Sequence, residues 1–158
     1  MTATAGPRIA VVPAGQDLLN VQRKAGGGNT IEFKVTPDES HDLFIAEVTC
    51  NERGGPARHL HLEQDEFFYI LEGEFIFAIG GQRLTPSPGD SLLGPRRVSH
   101  TWARIGDQRG RLLFVFSPAG QMVAFFDEIN KLGSRPGQDP DIWRRHGMQV
   151  TGPPLPVE

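Results

Sequence analysis

One stretch limits the fold more than any other. From Gly54 to Gly73 the chain reads Gly-Gly-Pro-Ala-Arg-His-Leu-His-Leu-Glu-Gln-Asp-Glu-Phe-Phe-Tyr-Ile-Leu-Glu-Gly. His59 and His61 stand two apart, and on an extended strand that spacing puts both imidazoles on one face. Glu66 lies an odd number of residues after His61, so an unbroken strand would point it the other way. The polar run Glu63-Gln64-Asp65 breaks the strand, and a turn there returns Glu66 to the side of the two histidines. Further on, Gly89 and Pro95 precede His100. Three histidines and one carboxylate suit a divalent transition metal.

The rest of the sequence supplies strands to carry such a site. Gly and Pro number 19 and 13 of 158 residues, about a fifth, against a usual ~12%. Turn residues in excess between short apolar runs predict an all-β fold. The length predicts one domain over residues 1–158, large enough for a core of its own. Cys50 is the only cysteine, which excludes an intrachain disulfide and fits a reducing cytoplasm. No run approaches the ~20 apolar residues of a membrane span, and residues 1–8 lack the apolar core of a signal peptide. The net charge of −3 does not favour nucleic acid as a partner.

In chain order, residues 1–8 read as disordered and Ile9 to Val12 as a short strand. Gly26-Gly27-Gly28 is a connector. It is not a phosphate loop, because no Gly-Lys-Ser/Thr follows. Ile31, Phe33 and Val35 alternate with polar residues as a half-exposed strand. Pro37-Asp38 begins a turn. Leu43 to Thr49 is apolar on both faces, as a strand covered on both sides is. Glu66–Leu71 and Glu74–Ile79 flank Glu72-Gly73, which reads as a two-residue hairpin turn. Hairpin pairing would place Glu66, Phe68, Ile70, Phe75, Phe77 and Ile79 on one face. The opposite face, with Phe67, Tyr69, Leu71 and Ile76, is too apolar for bare solvent and predicts a homodimer. His100, Trp102 and Arg104 share a strand face. Ser117-Pro118 reads as a helix start, Met122, Phe125, Phe126 and Ile129 follow helical spacing, and Gly133 ends the run. This helix reads as a packing element. Asp139 to His146 predicts a second short helix anchored by Trp143, and residues 148–158 an extended tail.

The two histidine-bearing segments resemble the two sequence motifs of the cupin superfamily. The first motif, G-x5-H-x-H-x3–4-E-x6-G, is met by His59, His61, Glu66 and Gly73, with its leading glycine one residue out of register at Gly54. The second, G-x5-P-x-G-x2-H-x3-N, is met by Gly89, Pro95 and His100. Arg97 replaces its second glycine and Arg104 its asparagine. These departures bear on the loop at Arg97 and the ligand at Arg104. The resemblance covers about Thr30 to Ser117 and implies a jelly-roll β-barrel. The run from His59 to Phe126 is also similar to small bacterial single-domain cupins grouped with quercetin dioxygenases, which implies metal-dependent oxygenation of a small molecule.

The site expected is therefore one divalent metal (Fe, Mn, Ni, Co, Cu or Zn) on His59, His61, Glu66 and His100, with Glu66 also the candidate acid/base. Four protein ligands leave two positions of an octahedral ion open. Phe68, Phe75, Phe77 and Trp102 are the candidate walls for an apolar, aromatic substrate, against the alternative of ordinary barrel core. Arg104 is the candidate partner of an anionic or carbonyl group. Its competing placements are the strand end beside Asp107 and an ion pair with Asp90. A dioxygenase-like enzyme, a metal-dependent isomerase or cyclase, and a small-ligand-binding module are the three functions this pattern leaves open.

Overall fold

The computed structural model describes residues 6, 8–133 and 139–157. The expected disorder of residues 1–8 falls mostly outside them. The elements in chain order are β1 (Arg23–Lys24), β2 (Thr30–Val35), α1 (Pro37–Ser40), β3 (Phe44–Cys50), β4 (Arg58–His61), β5 (Asp65–Glu72), β6 (Glu74–Ile79) and β7 (Gln82–Leu84). Then follow β8 (Ser91–Gly94), β9 (His100–Ile105), β10 (Gly110–Ser117), α2 (Met122–Leu132), α3 (Pro140–Arg145) and β11 (Met148–Gly152).

Two antiparallel sheets face each other, one ordered β1-β2-β3-β10-β5-β8 and the other β11-β4-β9-β6-β7. The fold is the all-β jelly-roll barrel that the sequence predicts. Strict alternation along β3 and β10 buries every second residue, and these inward side chains meet their counterparts from the other sheet. Phe68 on β5 meets Phe77 on β6 edge-on at 5.0 Å between centroids, and Phe114 on β10 meets Trp102 on β9 at 5.9 Å. Each fully buried Phe adds about 1.5–3 kcal/mol of transfer free energy.

The structure corrects several of the sequence expectations. Glu72-Gly73 is not a hairpin. β5 pairs with β10 and β8, and β6 with β9 and β7, so the chain crosses at Gly73 from one sheet to the other. Gly73 has φ 88°, and a Cβ there would lie 2.6 Å from the Arg109 carbonyl oxygen, so the corner admits only glycine. Ile76 is buried by its own chain, which narrows the apolar outer face of β5 and β8 to Tyr69 (37% exposed) and Leu93 (52%), with Phe67 and Leu71 half-buried. Ile9 to Val12 finds no strand partner and stays irregular. Ser117 does not cap a helix, because it is the last paired residue of β10, opposite Asp65. The helix begins at Met122 and ends at Gly133 in the left-handed conformation, as expected. Finally, Met148–Gly152 is no free tail but β11, which pairs with β4. The turn expected at Pro37-Asp38 is a single helical turn, α1, closed by a capping box between Thr36 and Glu39.

The two C-terminal helices lie over one mouth of the barrel. Arg145 of α3 reaches Glu128 of α2 at 2.5 Å, and His146 stands 3.4 Å from the same carboxylate. Asp139 caps α3 by accepting from the Asp141 N–H, and Pro140 takes the first helical position. No helix among the described residues is long and apolar enough to cross a membrane.

Candidate metal centre

The two histidines of β4 point into the barrel because strand alternation puts His59 and His61 on the buried face. The turn at residues 62–64 resets the alternation, and Glu66, the second residue of β5, points inward beside them. His100 comes from β9, directly across from His59 in the ladder. The ligand atoms of His59, His61, Glu66 and His100 all lie within 4.8 Å of one another, and all four residues are buried. The sequence-derived ligand set is therefore assembled in one place.

Each ring is held through its Nδ1. That of His59 donates to the Ala57 carbonyl oxygen at 2.7 Å, that of His61 to Gln64 Oε1 at 3.3 Å, and that of His100 to the Val98 carbonyl at 3.2 Å. A proton on Nδ1 leaves Nε2 as a bare lone pair, the state a metal requires. The Nε2 atoms of His61 and His100 lie 3.0 and 2.8 Å from the same atom, Glu66 Oε2. With both Nδ1 positions protonated, those contacts need either two imidazolium ions on one buried carboxylate or a cation among the lone pairs. The first leaves a buried charge uncompensated. The donor set thus fits a divalent metal, and these four residues can hold one.

The electrostatics agree in direction. Burial works to raise the Glu66 carboxyl, but the hydrogen bonds and charges of His100 and His61 outweigh it and hold the group below the ordinary carboxylate range. His59 is pushed down to about 3, first by burial and then by the charges of His100 and His61, with Glu66 opposing. Burial lowers His100, but its bond to Glu66 prevails and raises it. His59 is therefore a ready neutral ligand, and His100 is the ring at which a proton competes with a metal for the nitrogen lone pair.

His59, His61 and Glu66 of the cluster line a cavity of about 210 Å³. Trp102, Phe114 and Phe116 form its barrel wall, and Met122, Phe125 and Ile129 of α2 with Trp143 of α3 form its roof. Away from the ligand set, the polar side-chain groups on its surface are Asn29 and the two indoles.

The Cupin domain family profile matches residues 46–116. Among solved structures, an RmlC-like cupin from Shewanella frigidimarina is 25% identical with a TM-score of 0.55, covering 65% of this chain and 87% of its own. Residues 46–116 are thus a cupin domain, and the fold around them is that of a small cupin. KdgF from Halomonas sp. has the same fold at 22% identity and a TM-score of 0.56, over 62% of this cupin and 86% of that chain. A curated relative, the polyketide synthase CurC of Streptomyces cyaneus, is 26% identical over 102 residues. That match covers 63% of this cupin and 65% of the relative's length. The family match holds all four candidate ligands and stops short of α2, α3 and β11.

Of the other residues singled out in the sequence, Trp102 lines the cavity. Phe68, Phe75 and Phe77 do not. They are at most 1% exposed and fill the barrel beneath the site, with Phe68 packing edge-on to His100 at 5.8 Å. Arg104 is buried but does not face the ligand space. Its Nε donates to the Glu52 carbonyl at 2.9 Å, and its Nη1 to the carbonyls of Gly106 and Gln108 at 3.0 and 2.5 Å. It pairs with neither Asp90 nor Asp107. It ties two loops together, because backbone carbonyls turned inward at a barrel end need a donor. Arg97, in the place of a motif glycine, adopts φ 65°, the left-handed conformation that glycine would supply. Its N–H bonds the His61 carbonyl at 2.7 Å. Sequence reasoning missed two residues at the site. Gln64 was read only as part of a strand break, and Trp143 only as a helix anchor. The apolar face of α2 likewise proves to be cavity roof. Its i, i+3, i+4 pattern was visible, but not the surface it would cover.

Proposed function

We propose that this cupin is a metal-dependent enzyme that encloses a flat, largely apolar ring compound and acts at an oxygen substituent held against the metal. The observation that carries this reading is a set of four converging ligand residues, three of which line a mostly aromatic and aliphatic cavity. His59, His61, Glu66 and His100 would hold the metal, which would act as a Lewis acid on a carbonyl or phenolic oxygen. The unit that does this is the single cupin domain.

Ring closure with loss of water is the reaction we favour, and the 26% identity to a polyketide synthase protein supports it. The apolar cavity wall would hold a ring compound that carries a poly-carbonyl chain folded back on itself. Glu66 is held ionised, and its Oε1 has no hydrogen bond from a described residue, so it can accept a proton from the carbon between two carbonyls. That carbon then bonds to a second carbonyl carbon, the proton passes to the new alkoxide, and the hydroxyl so formed leaves with the carbon's second proton as water, giving a carbon–carbon double bond. Dioxygenation is the second reading, because a histidine and carboxylate donor set also suits non-haem iron. A homodimer through Tyr69 and Leu93 on β5 and β8 belongs to the same proposal, and light scattering decides it.

The test begins with metal analysis of untagged protein and its His59→Ala/His61→Ala variant. We expect one metal per chain, lost in the variant. Incubation with aromatic poly-ketones under air and under nitrogen follows. Mass loss of one water in both atmospheres supports ring closure. Gain of two oxygen atoms in air alone supports dioxygenation. Equal metal content in the variant overturns both.

A further inference from the structure

The Nε1–H of Trp143 is buried and meets no acceptor among the described residues. The residue is 3% exposed and forms part of the cavity roof. Its ring lies 4.7 Å from that of His59 and 5.1 Å from that of Phe125. A buried donor without a partner is disfavoured by its lost hydration, so one kept at a cavity wall beside a metal ligand has a reason outside the free protein. Asn29, also on the wall, already has its Oδ1 engaged by the Asn51 N–H at 3.1 Å.

We propose that Trp143 is a specificity-determining residue whose indole N–H donates to a carbonyl or ether oxygen of the bound ring compound. This rests on the reading of the cavity as a ring-compound site. An indole can only donate, so the residue selects for a hydrogen-bond acceptor next to the ring. The ring stack supplies apolar contact, and the N–H supplies orientation. A ligand lacking that oxygen leaves the donor unpaired, which is how a buried polar group rejects the wrong compound more strongly than shape alone does. Trp143 lies outside the family match, so this selection belongs to the chain's own C-terminal segment.

The chain has two tryptophans and therefore two indole signals in a proton–nitrogen correlation spectrum. Trp143→Phe, or Trp102→Phe if the first fails to fold, assigns them. Zinc-loaded protein is titrated with α-tetralone and with tetralin, which have the same ring frame with and without the carbonyl. We expect α-tetralone to move the Trp143 indole proton downfield and tetralin to leave it nearly in place. Trp143→Phe should weaken α-tetralone roughly 3–10-fold and tetralin less than about twofold. Binding of α-tetralone seen at Trp102 with Trp143 unmoved, or equal effects of both probes, overturns the proposal. If the protein retains no zinc yet the ketone still moves Trp143, the metal reading fails and this one stands. If neither probe binds, the ring-compound reading fails and takes this one with it.

Discussion

Replacing Gly120 by alanine should loosen the candidate metal centre without touching any of its four residues. Gly120 has φ 53°, and a Cβ there would lie 1.6 Å from Gln64 Nε2. Nothing shares that space, so the Gln64 amide must leave. Gln64 is 4% exposed, and its Oε1 is the acceptor that holds the His61 Nδ1 proton. Two costs add. Alanine in the left-handed region is less stable than glycine by about 1–2 kcal/mol. A displaced buried amide, with the His61 N–H left unpaired, adds about 1–3 kcal/mol. The total of about 2–5 kcal/mol corresponds to a Tm drop of roughly 4–20 °C at this chain length. Loss of the group that orients a ligating histidine typically lowers metal affinity about 10–100-fold. The assay is a thermal melt and a zinc titration on four proteins: wild type, Gly120→Ala, Gln64→Ala and the double variant. Gln64→Ala should show the affinity loss with a smaller Tm drop. The double variant should recover part of the stability lost by Gly120→Ala and none of the zinc affinity. If Gly120→Ala and Gln64→Ala both bind zinc like wild type, Gln64 does not orient His61. If the double variant melts no higher than Gly120→Ala, the clash does not run through Gln64.

Four further outcomes follow from the same structure. Arg97→Gly removes a left-handed arginine and should raise Tm by roughly 2–4 °C for about 1 kcal/mol, since the exposed Arg97–Glu63 pair it sacrifices contributes little; an unchanged or lower Tm refutes the strain. Arg104→Gln should cost roughly 2–4 kcal/mol in urea unfolding while ring-compound affinity stays within about twofold, and the reverse pattern would restore Arg104 as a ligand contact. Asp17 is buried with Arg23 and accepts the N–H of Leu19 and Phe33, so Asp17→Asn should lose about 3 kcal/mol. Burial raises the Asp17 carboxyl, but those bonds prevail and lower it, so this stabilisation is present above the unfolded value of ~3.9 and vanishes as pH falls through the folded one; a wild-type advantage that persists at the acid end contradicts it. Zinc affinity should begin to fall as pH drops through the raised His100 value, above ~6.5, because His59, held near 3, stays neutral; affinity flat to pH 5 would refute that assignment.

The ligand set was legible because each of its residues sits on a strand whose alternation the sequence shows, and the polar break at Glu63-Gln64-Asp65 supplied the change of phase that Glu66 needed. What alternation does not carry is which strand lies beside which. Period two gave Phe68 and Phe77 the same inward direction, and both do point inward, yet Glu72-Gly73 joins two sheets rather than two paired strands. The signal that separates a corner from a hairpin is the close approach of Gly110 to Gly73, a contact between distant residues. β11 left a faint trace, since Met148 and Val150 alternate with Gln149 and Thr151, but Pro153 and Pro154 drew the whole segment into a tail. Arg104 was misassigned because parity fixes a side chain's face and not how far along the barrel its long stem ends, here at three loop carbonyls.

The pairing of β4 has a consequence for timing. On one side, the strand that carries His59 and His61 meets β9 through a single pair, His59 with His100. On the other side, β11 supplies a run of partners, with Met148 opposite His61 and Val150 opposite His59. As the chain emerges from the ribosome, the three imidazoles and Glu66 are all present long before the strand that braces two of them. A metal captured early would therefore meet a loosely held pair, and the full grip would come only when Met148–Gly152 docks. A nick or truncation between α3 and β11 should therefore weaken the hold of the candidate site on a metal before it unfolds the barrel.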